Sequence, residues 1–305
     1  MLEVVICTKK MNDNALLDII TKSTFKNHGE RLWLKNIREN EKRFGFNNTI
    51  SEIKINNLKT IVLAAGPESK KSNDVFKKIE DERNNITIVA CDGALSTLSQ
   101  NNCIPDIIMS VDGDPIIANF YKNNKEILKG VTVVLATSIH PDVVEQCIDG
   151  GAEIKWIQAF FNCDSHVEYF RKGIPSMKMG GNVGTAAYLL TSLVLKGNPM
   201  GLIGIEFAWS DETPYSETQY YDQLMKSLDQ NSEVVKNHFV HIKNSRDGKT
   251  YMADPVYYAY LLMLKEIWNE LPQEIKKNTY NLTKGGILDL TGLNNIKLEE
   301  FLEKK

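Results

Sequence analysis

The chain has 305 residues, with 36 Lys and Arg against 39 Asp and Glu, which gives a formal net charge of −3; 42% of the residues are hydrophobic and 25% are charged. This composition is ordinary for a soluble globular protein, and a chain of this length can bury a core without disulfides or a structural metal. The near-neutral balance excludes the basic surface expected of a protein that binds duplex nucleic acid. No apolar run reaches the ~20 residues that a membrane-spanning helix needs.

The cysteines and the first residues bear on the cellular compartment. The cysteines stand singly and form no CxxC pair, so neither a zinc site of the usual spacing nor a disulfide framework is expected. The N-terminus lacks the basic flank and the small-residue cleavage site of a signal peptide. We therefore expect a cytoplasmic protein with reduced, mostly buried thiols. The five cysteines are Cys7, Cys91, Cys103, Cys147 and Cys163.

Residues 1–56 differ in pattern from the residues that follow. The spacing of apolar residues predicts helices over 13–24 and 30–44, the second rich in Arg, Lys and Glu, and then a connector. We expect an N-terminal helical arm that packs against the rest of the chain or supports a homo-oligomer.

Residues 57–210 repeat short β-branched runs, most of them separated by enough chain for a crossover helix. Because most runs are apolar at consecutive positions, they are typical of parallel strands covered by helices on both faces. The pattern predicts an α/β fold with a doubly wound, mostly parallel, Rossmann-like sheet that forms a nucleotide-binding core. The predicted strands are 60–65, 86–91, 106–111, 131–136, 153–158 and 200–207.

Residues 211–305 are predicted to form an α+β extension. A polar, aromatic stretch at 211–222 is a candidate lid, and 238–244 with 249–252 predict a hairpin. An amphipathic pattern predicts a helix over 255–270. Residues 281–293 predict a strand, a turn and a strand, and 298–304 a terminal helix.

Residues that follow predicted strands are the candidates for chemistry, because open α/β sheets bind ligands at the carboxyl ends of their strands. Gly66, Pro67 and Ser69 follow the first strand and could present backbone N–H groups and a hydroxyl to a phosphate. An ordinary turn with a serine N-cap is the alternative. Asp92 and Gly93 follow the second strand, where the carboxylate could bind a ribose or a base edge or could cap a helix.

Two further turns carry ionisable groups. Asp112 and Asp114 flank a glycine after the third strand and could hold a divalent ion that bridges phosphates, or form only a surface turn. After the fourth strand, His140 follows Thr137 and Ser138 and could act as a general acid or base or contact a phosphate, or be only a polar loop residue.

A glycine-rich helix start and a lone acid complete the set. Gly180, Gly181, Asn182, Gly184 and Thr185 would allow an anion or a sugar ring to approach the backbone closely, and tight packing is the alternative. In the last predicted strand, Glu206 is the one polar group in an apolar run. Because an unpaired buried carboxylate is costly, we expect Glu206 to face the site and meet a partner or a ligand.

Taken in order, GPES, CDGALSTL, IPDIIMSVDGDP, GGNVGTAAYLLTSLVL and GLIGIEFAWSD resemble the MptE-like family, over about residues 30–295. One branch of this family contains archaeal 6-hydroxymethyl-7,8-dihydropterin diphosphokinases. The other contains motility accessory factors, assigned as glycosyltransferases that add nonulosonic, sialic-type sugars to flagellin. The tail at 281–286, Asn-Leu-Thr-Lys-Gly-Gly, is similar to an Asn-x-Thr-x-Gly-Gly element of the second branch.

The two branches imply different reactions on one scaffold. A diphosphokinase would use ATP, with Mg²⁺ held by Asp112 and Asp114; together with Asp106 this turn is also similar to thiamine diphosphokinases. A glycosyltransferase would take a CMP-activated sugar and need no metal. The sequence has Gly180–Thr185 where the diphosphokinases have a Gly-Phe-Thr-Asp-Gly-Asp type of motif, and this difference favours the accessory-factor branch. A third reading is a non-catalytic nucleotide-binding protein.

The resemblance also implies roles for the candidate residues. Asp112 and Asp114 would orient the substrate or bind Mg²⁺, and His140 or Glu206 would serve as acid or base. The expected nucleotide-binding residues are Gly66, Pro67, Ser69, Asp92, Gly93, Thr137, Ser138, Gly181, Asn182, Gly184 and Thr185.

Overall fold

The fold comes from a computed structural model of the chain, which describes residues 3–5, 32–67, 73–160, 170–218, 221, 225 and 238–304. The predicted helix at 13–24, together with Ser69, Cys7 and Cys163, lies outside the described residues. The strands are β1 (Glu3–Val5), β2 (Thr60–Leu63), β3 (Thr87–Cys91), β4 (Ile107–Ser110), β5 (Thr132–Ala136), β6 (Glu153–Ala159), β7 (Ser176–Met177), β8 (Met200–Ile203), β9 (Trp209–Ser210), β10 (Val240–Lys243), β11 (Thr250–Ala253), β12 (Thr279–Asn281) and β13 (Asn294–Asn295). The helices are α1 (Leu34–Arg43), α2 (Asn73–Asp81), α3 (Leu95–Gln100), α4 (Ala118–Lys122), α5 (Pro141–Asp149), α6 (Val183–Leu189), α7 (Pro255–Glu270), α8 (Gln273–Lys277) and α9 (Leu298–Leu302).

A nine-stranded sheet forms the centre of the molecule. Its order is β13-β12-β8-β2-β3-β4-β5-β6-β7, and the registers of all its neighbouring pairs are parallel. Every residue of β2, β3, β4 and β8 is buried, as the consecutive apolar runs predict for strands covered on both faces. The predicted α/β, doubly wound, mostly parallel fold is confirmed.

The strand order reverses between β2 and β8. From β2 the chain adds β3 to β7 on one side, and it then returns to place β8, β12 and β13 on the other side. Because the connections leave in opposite directions at such a point, a crevice opens at the carboxyl ends of the two strands, and open α/β sheets bind their ligands there.

The last predicted strand is shorter than the sequence indicates. It was expected over 200–207, but β8 ends at Ile203. Gly204 has φ +79° and Phe207 has φ +58°, so the backbone turns out of the extended conformation directly after β8. The turn brings Glu206 over the end of the sheet.

The N-terminal helix predicted over 30–44 is confirmed as α1, which packs beside α5 and buries Ile37 completely. The connector behind it runs along the edge of β6. There the N–H of Trp156 donates to the carbonyl of Asn48, and Lys155 pairs with Glu52 at 2.7 Å. The arm is therefore packed against the α/β core.

A second, four-stranded antiparallel sheet has the order β1-β10-β11-β9. The predicted hairpin is confirmed as β10 and β11, and the predicted helix over 255–270 is confirmed as α7. The strand–turn–strand expected over 281–293 is wrong. The strands β12 and β13 lie at the two ends of this segment and run parallel in the large sheet. The chain between them forms a loop that buries Ile287, Leu288 and Leu290 in the core.

Cys91, Cys103 and Cys147 are free and buried, as expected for thiols that serve packing. Across the described ranges, no helix combines the length and the apolar character needed to cross a membrane.

A substitution tests how closely the chain packs where β8 ends. A Cβ on Gly204 would lie 2.2 Å from the carbonyl oxygen of Ala64, and φ there is +79°. At Gly248 φ is +71°, but nothing lies within 4 Å of the added Cβ. We expect Gly248→Ala to lower the free energy of unfolding by only about 1 kcal/mol, the cost of the left-handed conformation. Gly204→Ala should cost more than about 3 kcal/mol, because the backbone overlap adds to the strain.

Urea denaturation of both variants against the parent chain measures the difference. Equal losses for Gly204→Ala and Gly248→Ala would contradict the close approach.

Candidate functional site

The crevice between β2 and β8 is built by glycines. The N–H of Gly66 donates to the carbonyl of Gly204 at 2.9 Å. A Cβ on Gly66 would lie 2.5 Å from that carbonyl and 2.7 Å from the Glu206 carboxyl carbon. Only a residue without a side chain fits, so the backbone is left as the surface that a ligand can approach. Pro67 is half-buried beside Gly66.

The glycine turn before α6 lies beside the same crevice. Gly180 and Gly181 have φ +66° and +83°, and a Cβ on Gly184 would lie 3.2 Å from the Ala64 Cβ. Asn182 caps α6: its Oδ1 accepts from the N–H of Thr185, and its Nδ2 donates to the Thr185 hydroxyl, both at 2.9 Å. The two predicted ligand contacts Asn182 and Thr185 therefore also bind each other.

Gly181 lies against α7. It is exposed, and a Cβ there would lie 2.6 Å from Cδ1 of Tyr260 and 2.7 Å from the Met263 sulfur. Both of those residues belong to α7. The glycine turn is thus held between the end of β2 and α7.

Asp92 is a deeply buried acid beside the crevice, with 3% of its surface exposed. Its Oδ2 accepts from the Ser110 hydroxyl at 2.5 Å, and its Oδ1 accepts from the N–H of Gly93 at 2.7 Å. Burial raises the pKa of Asp92 to about 6; the two hydrogen bonds oppose this shift, and the negative charge of Asp112 adds to it. Gly93 contacts the end of β2, since its Cβ would lie 3.0 Å from that of Ala65.

The carboxylates of the acidic turn after β4 accept hydrogen bonds from backbone N–H groups of the same turn. Oδ1 of Asp112 accepts from the N–H of Asp114 at 3.1 Å, and Oδ1 of Asp114 accepts from the N–H of Ile116 at 2.9 Å. In the part of the chain that the structure describes, no three His, Cys, Asp or Glu side chains are grouped to hold a metal ion. Two carboxylates on one turn do fit a Mg²⁺ whose other ligands are water and substrate phosphate.

His140 lies in the loop after β5 and caps α5. Its Nδ1 accepts from the N–H of Asp142 at 3.3 Å, so Nε2 is the nitrogen that can reach a substrate. Thr137 and Ser138 are each 2% exposed. The carbonyl of Ser138 lies 2.8 Å from where a Cβ on Gly113 would be, so the loop after β5 touches the acidic turn.

Glu206 faces the crevice, as expected from the sequence. It is 1% exposed; its carboxyl lies against Gly66, and its backbone lies against Gly286. Thr283 accepts the N–H of Gly204 on its hydroxyl at 3.0 Å, and Asn244 donates to the carbonyl of Gly286 at 2.6 Å. The tail at 281–286 is thereby fixed over the end of β8.

Asp106 lies away from these groups, although the sequence associates it with the acidic turn. It precedes β4, at the opposite edge of the sheet, where it pairs with Arg83 at 2.8 Å and accepts the N–H of Ile88 at 2.7 Å. This position gives Asp106 a structural role at the start of the strands.

Two buried asparagines of α1 were missed by the sequence analysis. Asn36 donates to the carbonyls of Gly113 and Ser138, each at 3.0 Å, and Asn40 donates to those of Thr137 and Ile139 at 3.1 and 2.8 Å. The available signal was their spacing of four residues on a charged helix, on the face that also carries Ile37.

The structure therefore assembles the candidates in two adjoining groups. The crevice group comprises Gly66, Pro67, Asp92, Gly93, Gly181, Asn182, Gly184, Thr185 and Glu206. The second group comprises Asp112, Asp114, Thr137, Ser138 and His140, and it adjoins the first through the hydrogen bond between Asp92 and Ser110.

The sequence matches the family described as 6-hydroxymethylpterin diphosphokinase MptE-like over residues 31–212, more than half of the chain. The chain belongs to the MptE-like family. The match begins just before α1, so it includes the helix that carries Asn36 and Asn40. No curated protein matches the sequence of this MptE-like chain.

A solved structure titled as a MAf glycosyltransferase from Magnetospirillum magneticum AMB-1 is similar in fold. The TM-score is 0.63 at 13% sequence identity, and the likeness covers 93% of this chain and 42% of that one. At this identity the likeness shows a shared fold alone, and the MptE-like chain spans less than half of that protein's length.

The raised pKa of Asp92 predicts a specific pH dependence of stability. Between pH 4 and 6 the folded chain holds a proton that the unfolded chain has already lost. Asp92 therefore contributes stability below pH 4 that is lost as the pH rises through about 6. The loss is about 3 kcal/mol, from a shift of roughly two units. Asp92→Asn keeps the neutral shape and should lack this component.

Urea denaturation at pH 4, 5, 6 and 7 measures the effect. The stability of Asp92→Asn relative to the parent should rise across this range, while the exposed control Asp81→Asn should show a constant difference. If the unfolding free energies of the parent and Asp92→Asn changed with pH in parallel, the ionisation of Asp92 would not destabilise the fold, and this prediction would be wrong.

Proposed function

We propose that this MptE-like protein transfers a glycosyl group from a CMP-activated, nonulosonic-type sugar to a protein or glycan acceptor. The observation that carries the proposal is the placement of the tail at 281–286. This segment is similar to the Asn-x-Thr-x-Gly-Gly element of the accessory-factor branch, and Thr283 and Gly286 hold it over the end of β8. The fold shared with the MAf glycosyltransferase is compatible with this reaction.

The crevice suits a nucleotide leaving group. In the proposed complex, the CMP phosphate approaches the backbone near Gly66 and the glycine turn, beside the Glu206 carboxyl. Lys284 is exposed and directly follows Thr283, so it brings a positive charge to an edge that otherwise carries Asp92, Asp112 and Glu206. Backbone dipoles and this lysine would stabilise the charge that develops on the phosphate.

The reaction needs one base and one leaving group. The bond between the sugar carbon and the CMP phosphate oxygen breaks, and the acceptor hydroxyl oxygen bonds to that carbon. The hydroxyl proton passes to Glu206 or to Nε2 of His140, and CMP leaves with the electron pair of the broken bond. Asp112 and Asp114, next to the loop of His140, orient the substrate.

The second candidate is a 6-hydroxymethyl-7,8-dihydropterin diphosphokinase that uses ATP and Mg²⁺. The family description and the acidic turn at the carboxyl end of β4 favour it. In that reaction Asp112 and Asp114 would hold the metal, which would neutralise charge on the transferred pyrophosphoryl group. A non-catalytic nucleotide-binding role is the third candidate.

Thermal unfolding with nucleotides separates the candidates. We expect CMP at 100 times its dissociation constant to stabilise the protein by about 2.7 kcal/mol, equally with Mg²⁺ and with EDTA. Transfer from a CMP-linked nonulosonic sugar should release CMP. Asp112→Asn should keep the stabilisation by CMP, with Asp81→Asn as the control at the opposite edge.

Stabilisation by ATP only with Mg²⁺, lost in Asp112→Asn and absent with CMP, would contradict glycosyl transfer and support the diphosphokinase. Binding of CMP without turnover of any CMP-sugar would support the non-catalytic role.

A further inference from the structure

The helix α1 meets the site through polar groups that are almost completely buried. Asn36 and Asn40 are 1% and 0% exposed, and each amide nitrogen donates to two carbonyl oxygens. Because carbonyl oxygens only accept, the amide nitrogen of each asparagine must face them. Ile37, between the two, is fully buried and supplies an apolar contact on the same face of the helix.

The four carbonyls belong to the two loops of the second site group. Asn36 bridges these loops, since it binds Gly113 in the acidic turn and Ser138 after β5. Asn40 binds Thr137 and Ile139, on either side of Ser138. Asn36 therefore fixes the acidic turn relative to the loop of His140, and Asn40 fixes the conformation of that loop alone.

A hydrogen bond that fixes the direction of a carbonyl also fixes the direction of the N–H in the same peptide, because the two groups of a planar trans peptide point in opposite directions. The bonded peptides show this. The Gly113 carbonyl faces Asn36 while the N–H of Asp114 reaches Asp112, and the Ser138 carbonyl faces Asn36 while the N–H of Ile139 reaches Ala136.

Asn40 binds the carbonyls of the peptides that join Thr137 to Ser138 and Ile139 to His140. The N–H groups of these two peptides therefore point away from α1. These are the N–H groups of Ser138 and His140, and within the described ranges neither donates to another part of the chain. Because the carbonyls of both peptides converge on the one amide nitrogen of Asn40, both N–H groups lie on the side of the loop away from that nitrogen. Two such donors beside the Ser138 hydroxyl match the oxygens of a phosphate.

We propose that Asn36 and Asn40 are positioning residues of the substrate site, and that Asn40 orients the N–H groups of Ser138 and His140 toward a phosphate of the bound nucleotide. The identification of that phosphate with CMP rests on the proposed function. In this proposal the N-terminal arm, through α1, contributes to substrate binding as well as to packing.

The test compares substitutions at neighbouring positions of α1. Asn40→Asp keeps the shape but sets a carboxylate against two carbonyls, so the loop must move. Ile37→Val weakens the docking of the same helix without touching these hydrogen bonds. With full-length protein well below both melting temperatures, we expect CMP affinity to fall at least about tenfold in Asn40→Asp. It should stay within about twofold in Ile37→Val. Asn40→Ser, a milder change, should give an intermediate loss.

A second readout follows the backbone directly. In ¹⁵N-labelled parent protein, CMP, ATP and pyrophosphate are titrated in turn, and we expect the amide resonances of Ser138 and His140 to shift with CMP. In Asn40→Asp this response should be lost. Equal CMP affinities in Asn40→Asp and Ile37→Val would overturn the positioning role.

The outcomes also separate this inference from the proposed function. Shifts at Ser138 and His140 with ATP or pyrophosphate but not with CMP would support the inference and contradict the CMP donor. Shifts at Gly66 and Gly184 alone would overturn the inference and leave the CMP site in place. An absence of response to all three probes would overturn both.

Discussion

The contact between the ends of β2 and β8 is the constraint on which the rest of the site depends. Gly66 and Gly204 are hydrogen-bonded at 2.9 Å, and neither position has room for a Cβ. The strand order reverses at this point, so the crevice is opened by the topology and narrowed by the glycines. Glu206 is carried over the crevice by the left-handed turn that follows, and the tail is fixed there by Thr283. A larger residue at either glycine would displace all of these groups together.

Charge is distributed unevenly over this edge of the sheet. Asp92, Asp112, Asp114 and Glu206 meet where an anionic nucleotide is proposed to bind. Burial raises the pKa of Asp92 to about 6, and its two hydrogen bonds act in the opposite sense by stabilising the carboxylate. The remaining attraction for phosphate must come from backbone N–H groups, hydroxyls, Lys284 or a metal. In our proposal, the N–H groups of Ser138 and His140 in the loop after β5 provide such donors without adding charge.

Much of the fold could be predicted from the sequence, because its strands and helices leave patterns within short stretches of residues. Strands buried on both faces are apolar at consecutive positions, and α7 has a regular amphipathic period, so its limits at Pro255 and Glu270 were predicted to the residue. The glycine turn and the acidic turn were visible because each combines unusual residues within a short stretch. Their placement at the carboxyl ends of strands follows from the topology alone.

The rest of the site depends on contacts between distant parts of the chain. Asn36 binds residues 77 and 102 positions away, and nothing near it in the sequence marks those partners. The end of β8 was missed because its apolar run continues to Phe207 while the backbone turns at Gly204. The tail was misread as strand–turn–strand because its buried isoleucine and leucines pack as a loop. In each case tertiary packing, rather than local preference, decides the conformation.

A crystal structure of the full chain grown with CMP tests the central claim, that the nucleotide binds at the crevice between β2 and β8. We expect the CMP phosphate within hydrogen-bonding distance of backbone N–H groups at the crevice or the adjoining loop after β5, with Glu206 beside it. CMP bound at the opposite edge of the sheet, near Asp106 and Arg83, or on the four-stranded sheet away from Gly66, would contradict it.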